Sequence, residues 1–393
     1  MKSSDFSARE LFFCTSRSER RNLSLSLESF STEFESQLKS LSNGSFDFSI
    51  GKKENIFFNS NQDKYDYLFQ KLVLRKIYRN IESKYKFTHP NRDVIISQMI
   101  NLTKEKKCPY YILKLDIKSF YESIKSSEII QNLKKDYRLN QQTMDMLEKL
   151  FANQSLYGYT GLPRGLNVSA IMSEIHLQNF DSEIKHIQDV FYYARYVDDI
   201  IIFCTSKSSR DYVKSYAEEK LKKLHLFPNM EKTQLWDNNS RNSLTYLGYE
   251  FKYDSERKIV ISIAPNKIKK IKTRIVISFF DFIKNKDYSL LEKRIKYLTG
   301  NCLFEENRSG PLFTGIYYNY KRITQTDVFA KELDFFYKKM LYCKKGKLGL
   351  QLNQSLTNSQ KDHLSKYSFA YGHQKRISNR FSSKEIKKIT RGW

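Results

Sequence analysis

The sequence predicts an α+β fold in which an antiparallel sheet is backed by helices, and three observations carry that prediction. From Tyr65 to Lys107 apolar residues recur at helical spacing among basic ones, as in YDYLFQKLVLRKIYRNIESKYK. The period changes in PYYILKLDIKSFYESI, a β-branched and aromatic run that reads as a strand ending near Asp116. Residues 191–203, FYYARYVDDIIIF, read as two strands meeting at a turn, with Asp198 and Asp199 at its centre.

In chain order, the serine-rich residues 1–60 include LSLSLESFSTEFESQLKSL, a candidate amphipathic helix before the polar break NSNQDK. The basic helix from Tyr65 is broken by the turn HPNR and resumes in DVIISQMINLTKEKK. After the Asp116 strand, a helix capped by Ser126 or Ser127 is expected in SSEIIQNLKKDY. Another helix precedes the Gly-Pro loop of YGYTGLPRG, which leads into a helix through NVSAIMSEIHLQNFDSEIKHI. The acidic hairpin follows, then the helix DYVKSYAEEKLKKL, short strands in KTQLW and LTYLGYEF, and a basic, helical C-terminal third. No internal repeat is visible.

A chain of 393 residues has room for two or three domains with packed cores. Its 68 Lys and Arg against 43 Asp and Glu leave a net charge of +25, a field that draws polyanions. Nucleic acid is the leading partner, with an anionic membrane surface as the plainer competitor. No apolar run approaches the ~20 residues of a spanning helix, and the N-terminal apolar stretch is too short for a secretory signal, so a cytoplasmic location and no membrane partner are expected. Cys14, Cys108, Cys204, Cys302 and Cys343 are odd in number and never form CxxC, which argues against disulfides and structural zinc and for buried thiols. The histidines show no ligand spacing, and His176 reads as a packed residue.

A strand-forming run gains nothing from two like charges at its centre unless something positive lies beside them. A lone Asp-Asp is often a solvated turn. Here a sheet that sets the Asp116 strand beside the hairpin gathers three carboxylates, and carboxylate oxygens suit Mg²⁺, which shares its coordination with substrate phosphates. Two such ions ~4 Å apart can serve an in-line phosphoryl transfer.

These stretches resemble the reverse transcriptase family. YVDD at 196–199 resembles its catalytic hairpin and KLDIKSFYESI at 114–124 its first palm motif; GLPRGLNVSA at 161–170 resembles the loop-helix that supports template and nucleotide. LHLFPNMEKTQLW resembles the motif ending in a lysine near the triphosphate, and YLGYEF the primer-grip hairpin. Five motifs in family order span roughly residues 70–320, in wording closer to retron, group II intron and abortive-infection or defence-associated bacterial enzymes than to retroviral ones. No integrase, ribonuclease H or zinc endonuclease signature follows them.

The resemblance implies a right-hand polymerase with an antiparallel-sheet palm, helical fingers and a helical thumb. The corresponding boundaries are an N-terminal extension at 1–60, fingers at 61–110, palm at 111–252, thumb at 253–325 and a basic extension at 326–393. It implies that Asp116 and Asp198 ligate Mg²⁺, with Mn²⁺ as a substitute and the Ile117 carbonyl as an extra ligand. Asp199 is the weaker candidate, because neighbouring strand residues face opposite ways. Lys232 would neutralise or protonate departing pyrophosphate. Arg92 would clamp the triphosphate through its planar fork, with Arg75, and Arg79 beside it, as candidates from the same basic stretch whose plainer reading is a solvated helix face. Gly165 would let the backbone approach the nucleotide, and Arg164, standing where relatives carry Gln, would hold template phosphate. Tyr121, with Phe120 as runner-up, would exclude a 2′-hydroxyl.

In the thumb-like APNKIKKIKTRIVISFFDFI, Ile268, Ile271, Ile275 and Phe279 should pack while Lys267, Lys270 and Arg274 meet phosphates. Lys375 and Arg376 lie in a basic tail interleaved with Tyr367, Phe369, Tyr371, Phe381 and Trp393, a pattern that suits RNA or a tail docked on the thumb. The implied partners are an RNA template, a dedicated non-coding RNA being one form of it, dNTPs, the DNA product, and a companion protein or second copy of the chain. The expected activity is RNA-directed DNA synthesis in bacterial antiviral defence. The alternatives are an RNA-dependent RNA polymerase and a silent RNA-binding scaffold.

Overall fold

The computed structural model describes residues 4–54, 56–85, 87, 91–105, 109–155, 158–307 and 310–393. The HPNR turn residues His89 and Pro90, and Cys108, lie outside the described residues. The chain forms two compact units, Met1–Ile95 with Lys107–Asn238, and Ile96–Lys106 with Asn239–Trp393.

The first unit is built on a four-stranded antiparallel sheet in the order Val190–Tyr196, Asp199–Cys204, Tyr111–Asp116, Gln234–Asp237. Its two central strands, YILKLD and DIIIFC, are buried along their length after the first residue, which is why each is a near-continuous apolar run rather than an alternating one. The helix Asn167–Lys185 buries Val168, Ile171, Met172, Leu177, Phe180 and Ile184 along one stripe, and Lys207–Lys223 packs on the sheet beside it. His176 is packed as expected, its ring near the Leu224 carbonyl, and burial holds its pKa below the usual histidine value.

Asp63 starts the helix Lys64–Lys84 by accepting from the Tyr65 and Asp66 amides at 2.7 and 3.0 Å. Phe69, Leu72, Val73, Ile77 and Ile81 in that helix are fully buried. Each such side chain stabilises by about 1.5–3 kcal/mol against at most about 1 kcal/mol for a surface ion pair, so the apolar stripe and not the basic face holds the helix.

The serine-rich N-terminus departs from its expected form. It makes several short helices, including Leu27–Glu33 and Glu35–Ser42, and drives Phe30 and Phe34 into the first unit's core against Phe69. An unforeseen hairpin, Ile50–Lys53 with Ile56–Asn59, follows. The helix Ser126–Asp136 is not capped by a serine: Lys125 occupies the cap position, and the Ser126 hydroxyl donates instead to the Thr160 carbonyl.

The second unit holds an antiparallel sheet of Leu244–Tyr246, Tyr249–Tyr253 and Ile259–Ile263, followed by helices Pro265–Asn285 and Tyr288–Thr299. The C-terminal third is not wholly helical, because Asn301–Asn307 and Gly310–Gly315 pair as a hairpin that Ser378–Asn379 joins in parallel. Asp334, at the end of the π-helical stretch Phe329–Asp334, accepts from the Ser368 hydroxyl and the Phe369 and Ala370 amides, tying down the helix Phe369–Gln374. Cys14, Cys204 and Cys302 are buried free thiols and Cys343 is partly exposed. Among the described residues no helix is long and apolar enough to cross a membrane.

Candidate active site

Strand register brings the acidic residues together. Asp116 closes its strand directly opposite Asp199, and cross-strand partners of this kind share a face of the sheet. Asp198 is not a strand residue: Val197 and Asp198 form the two-residue turn between Tyr196 and Asp199. The expectation that Asp198 and Asp199 face opposite sides of one strand therefore gives way to a turn residue beside a strand residue. Val197 sits at φ 60°, a conformation a β-branched side chain disfavours, at the first central position, where type II′ turns favour glycine. The turn is anchored by the Ile117 amide, which donates to the Asp198 carbonyl at 3.1 Å; Ile117 itself is buried. On the other side, the Asn229 amide donates to the Asp116 carbonyl and the Lys118 amide to the Phe227 carbonyl, which fixes the segment that leads to Lys232.

Asp116 is 5% exposed, and the Lys232 ammonium lies 2.9 and 3.2 Å from its two carboxylate oxygens. Burial pushes the Asp198 carboxyl above its usual value, and the Asp116 charge adds to this, with Lys232 and Arg164 opposing. Burial pushes Asp199 up to about 6 against the pull of the buried Lys114, while Asp198 and Asp116 reinforce the rise. Among the described residues no three His, Cys, Asp or Glu side chains converge tightly enough to hold an ion unaided. The donor set suits an ion held by two carboxylates and completed by water and substrate phosphate, and the Lys232 ammonium already stands as a cation on Asp116.

Asp198 also lines a cleft of about 300 Å³ with Phe120, Tyr121, Pro163, Arg164, Gly165, Leu166 and Ser169. Of the two aromatics, Phe120 is 2% exposed and belongs to the core, while Tyr121 is half-buried and hydrogen-bonded to Ser173.

The sequence matches the family model of reverse transcriptase (RNA-dependent DNA polymerase) over residues 51–251. The chain belongs to this family. The right-hand polymerase fold accounts for its helices and antiparallel sheets. No curated protein matches this reverse transcriptase chain. Solved structures similar to it include an apo telomerase from Candida tropicalis truncated from its C-terminal domain, at 17% identity and TM-score 0.36, covering 51% of this chain and 48% of that one. Another is a telomerase from the same organism in complex with the TWJ fragment of telomeric RNA, at 14% identity and TM-score 0.40, covering 84% and 56%. The chain thus spans about half the length of those telomerase chains.

Several residues expected to meet substrate are occupied within the reverse transcriptase fold. Arg75 donates to the Glu19 carboxylate at 2.6 Å and to the Cys14 carbonyl at 3.0 Å, and Arg79 to the Phe13 carbonyl at 2.8 Å. These bonds tie both half-buried arginines to the N-terminal helices. Arg164 forks onto Glu122, Nε to Oε1 at 2.6 Å and one terminal nitrogen to Oε2 at 2.9 Å, which places a carboxylate where template phosphate was expected. Gly165, at φ 97°, lines the cleft, yet the backbone it admits is that of the unforeseen hairpin: a Cβ there would strike the Phe57 carbonyl. At Gly161 a Cβ would lie 2.5 Å from the Glu122 carbonyl. Arg92 opens the helix Arg92–Lys104 and lies outside the cleft's lining.

In the second unit, Lys267 and Lys270 are exposed, while Arg274 is partly buried with its guanidinium 5.1 Å from the Trp393 ring centre. Ile271, Ile275 and Phe279 pack as expected, whereas Ile268 is only half-buried. Lys375 is exposed and Arg376 lies over Tyr317 at 4.5 Å. The interleaved aromatics are mostly structural. Phe369 is buried, the Tyr367 hydroxyl donates to Glu292, and Phe381 and Trp393 pack on Tyr297, leaving Tyr371 more than half exposed. This is the docked-tail alternative.

Sequence reasoning missed Arg195, Glu174 and Asp181. Arg195 is 6% exposed and pairs with both acids. The visible signal was an arginine immediately before YVDD and two acids seven positions apart on one helix.

Proposed function

We propose that the cleft beside the palm hairpin carries out template-directed DNA synthesis from deoxynucleoside triphosphates, on an RNA template. The observation that carries this reading is the pair Asp116 and Asp198: a buried and a half-buried carboxylate that repel each other beside a cleft, the buried one already drawing a cation onto both its oxygens. Asp116 and Asp198 would hold Mg²⁺, or Mn²⁺ in its place, with the Ile117 carbonyl and Asp199 as further donors. The ions, when bound, supply Lewis-acid activation of the primer hydroxyl and stabilise the leaving oxygen.

The chain's own residues do the rest. Lys232, on a flexible and exposed stem, leaves Asp116 for the departing pyrophosphate and neutralises its charge. Tyr121 walls the cleft beside the sugar, and the Glu122 fork holds Arg164 in one orientation along the cleft, from which template phosphate is reached by exchange of partners. Arg92 grips the triphosphate. Lys267, Lys270, Arg274, Lys375 and Arg376 contribute positive charge along the duplex product.

The expected boundaries serve as the functional division: fingers 61–110, palm 111–252, thumb 253–325 and a basic extension 326–393. The wording of the motifs supports a stand-alone bacterial defence enzyme of the retron or abortive-infection type, acting in the cytoplasm on a dedicated non-coding RNA, with a companion protein or second copy of the chain. Primer extension on RNA and on DNA templates, with deoxynucleotides and ribonucleotides supplied separately, tests the activity. Extension with deoxynucleotides on RNA supports it. Preference for ribonucleotides would move the chain to RNA synthesis, and RNA binding without extension would make it a scaffold.

A further inference from the structure

Arg195 stands two residues before Val197, with its side chain 4% exposed. A guanidinium has five N–H groups, and here each has an acceptor. Nε donates to Asp181 Oδ1 at 2.8 Å and one terminal nitrogen to Asp181 Oδ2 at 2.6 Å and Glu174 Oε2 at 2.7 Å. The other terminal nitrogen donates to Glu174 Oε1 at 3.1 Å and to the Val197 carbonyl at 3.1 Å. Asp181 also accepts from the Tyr193 hydroxyl. Both acids stand on Asn167–Lys185, the helix that follows the GLPRG loop and supplies Ser169 to the cleft wall.

Four of these bonds fasten the arginine to the helix, and the fifth reaches the turn. That fifth bond falls on the residue least suited to its conformation. A β-branched residue at φ 60° costs on the order of 1–3 kcal/mol and persists only where its surroundings hold it. The Val197 carbonyl is held by Arg195 and the Asp198 carbonyl by the Ile117 amide, so the peptide that presents the Asp198 carboxylate is clamped from two sides. Burial obliges the fifth N–H to find an acceptor, and the acceptor it finds ties the arginine to the strained turn.

The geometry points to Arg195 as a positioning residue for the reaction: through the Val197 carbonyl it holds the strained turn so that Asp198 faces Asp116 and the cleft, with Glu174 and Asp181 fixing the arginine in turn. This rests on the reading of Asp116 and Asp198 as the metal-holding pair. Loss of a residue that orients a ligand typically costs about 10–100-fold in activity or metal affinity.

The test uses Arg195→Lys, which keeps the buried charge but lacks the fork, and the double variant Arg195→Lys with Val197→Gly, because glycine adopts φ 60° at little cost. Two quantities are read on folded protein: kcat and KM for dNTP in primer extension, and Mn²⁺ affinity by electron paramagnetic resonance of the template complex with a dideoxy-terminated primer. Arg195→Lys should lose about 10-fold or more in kcat with KM within about two-fold, and should weaken Mn²⁺ binding. Adding Val197→Gly should restore part of both. If Arg195→Lys does not fold, Glu174→Gln, which leaves Asp181 on the arginine, should show a smaller loss of the same kind. Wild-type kcat and Mn²⁺ affinity in whichever variant folds, or no recovery with Val197→Gly, overturns the positioning role. Asp198→Asn run alongside separates the two readings. If it abolishes synthesis and Mn²⁺ binding while the Arg195 variant is normal, only the positioning role falls; if it leaves both intact, the metal-holding pair falls, and the inference with it.

Discussion

Lys232 Nζ bridges both oxygens of the Asp116 carboxylate, at 2.9 and 3.2 Å. The lysine side chain is more than half exposed and the aspartate buried, so the bond joins a solvent-facing cation to a buried carboxylate. A cation on that carboxylate competes with any divalent ion for the site.

Lys232→Ala should therefore lower the stability of chelator-treated protein by about 1 kcal/mol, a Tm fall of roughly 2–4 °C, because it leaves a buried charge without its partner. Added Mg²⁺ should raise the Tm of the variant more than that of wild type. Thermal unfolding with chelator and with Mg²⁺ gives the comparison; equal Mg²⁺ shifts in the two proteins would mean that Lys232 does not guard the site.

Tyr121 and Phe120 can now be separated. Phe120 is a core residue, and Phe120→Ala should cost about 3–5 kcal/mol of stability. Tyr121 lines the cleft and is not one of the residues proposed to hold the ions, so Tyr121→Ala should keep much of the deoxynucleotide activity while raising ribonucleotide incorporation. The ratio of kcat/KM for the two nucleotide sets measures this. An unchanged ratio with normal folding would remove Tyr121 from the sugar wall.

Acid should loosen the N-terminal helices. Burial alone would raise the Glu19 carboxyl, but hydrogen bonds from Arg75, the Ser16 amide and Lys71 bring it from an ordinary 4.5 down to about 2. A group with a depressed folded pKa contributes stability that is fully present above its unfolded value and is lost as pH falls through the folded one, here between about 4.5 and 2. Glu19→Gln should flatten the pH dependence of stability in that window, read by hydrogen exchange of residues 8–23. A slope like that of wild type would place the acid sensitivity elsewhere.

The strand ending at Asp116 and the hairpin at 196–199 were legible because Ile112–Leu115, broken only by Lys114, and Ile200–Phe203 are apolar runs with acids at their ends. The partners of charged helix residues were not. Arg75 meets Glu19 from 56 positions away, and nothing in a helical period distinguishes an arginine facing phosphate from one facing a distant carboxylate. The glycines of GLPRG announced a close approach but not by what; the backbone that approaches Gly165 is Phe57, in a hairpin too short for its pattern to stand out. The C-terminal aromatics misled for a related reason, since an aromatic among lysines serves equally to stack on a base or to pack against Tyr297.

The central assignment is that the turn residue Asp198, with Asp116, holds the ions on which nucleotide transfer depends. The measurement is single-turnover primer extension on RNA template with dNTPs and Mg²⁺, comparing wild type, Asp198→Asn and Asp199→Asn at equal folded protein and equal RNA binding. Asn keeps the shape of the side chain and removes a ligand's charge. Asp198→Asn should abolish incorporation while folding and RNA binding stay near wild type, and Asp199→Asn, opposite Asp116 but outside the cleft lining, should be the milder of the two. Near-normal synthesis by Asp198→Asn would contradict the assignment, and a reversed order would place the ions on the strand residue instead of the turn.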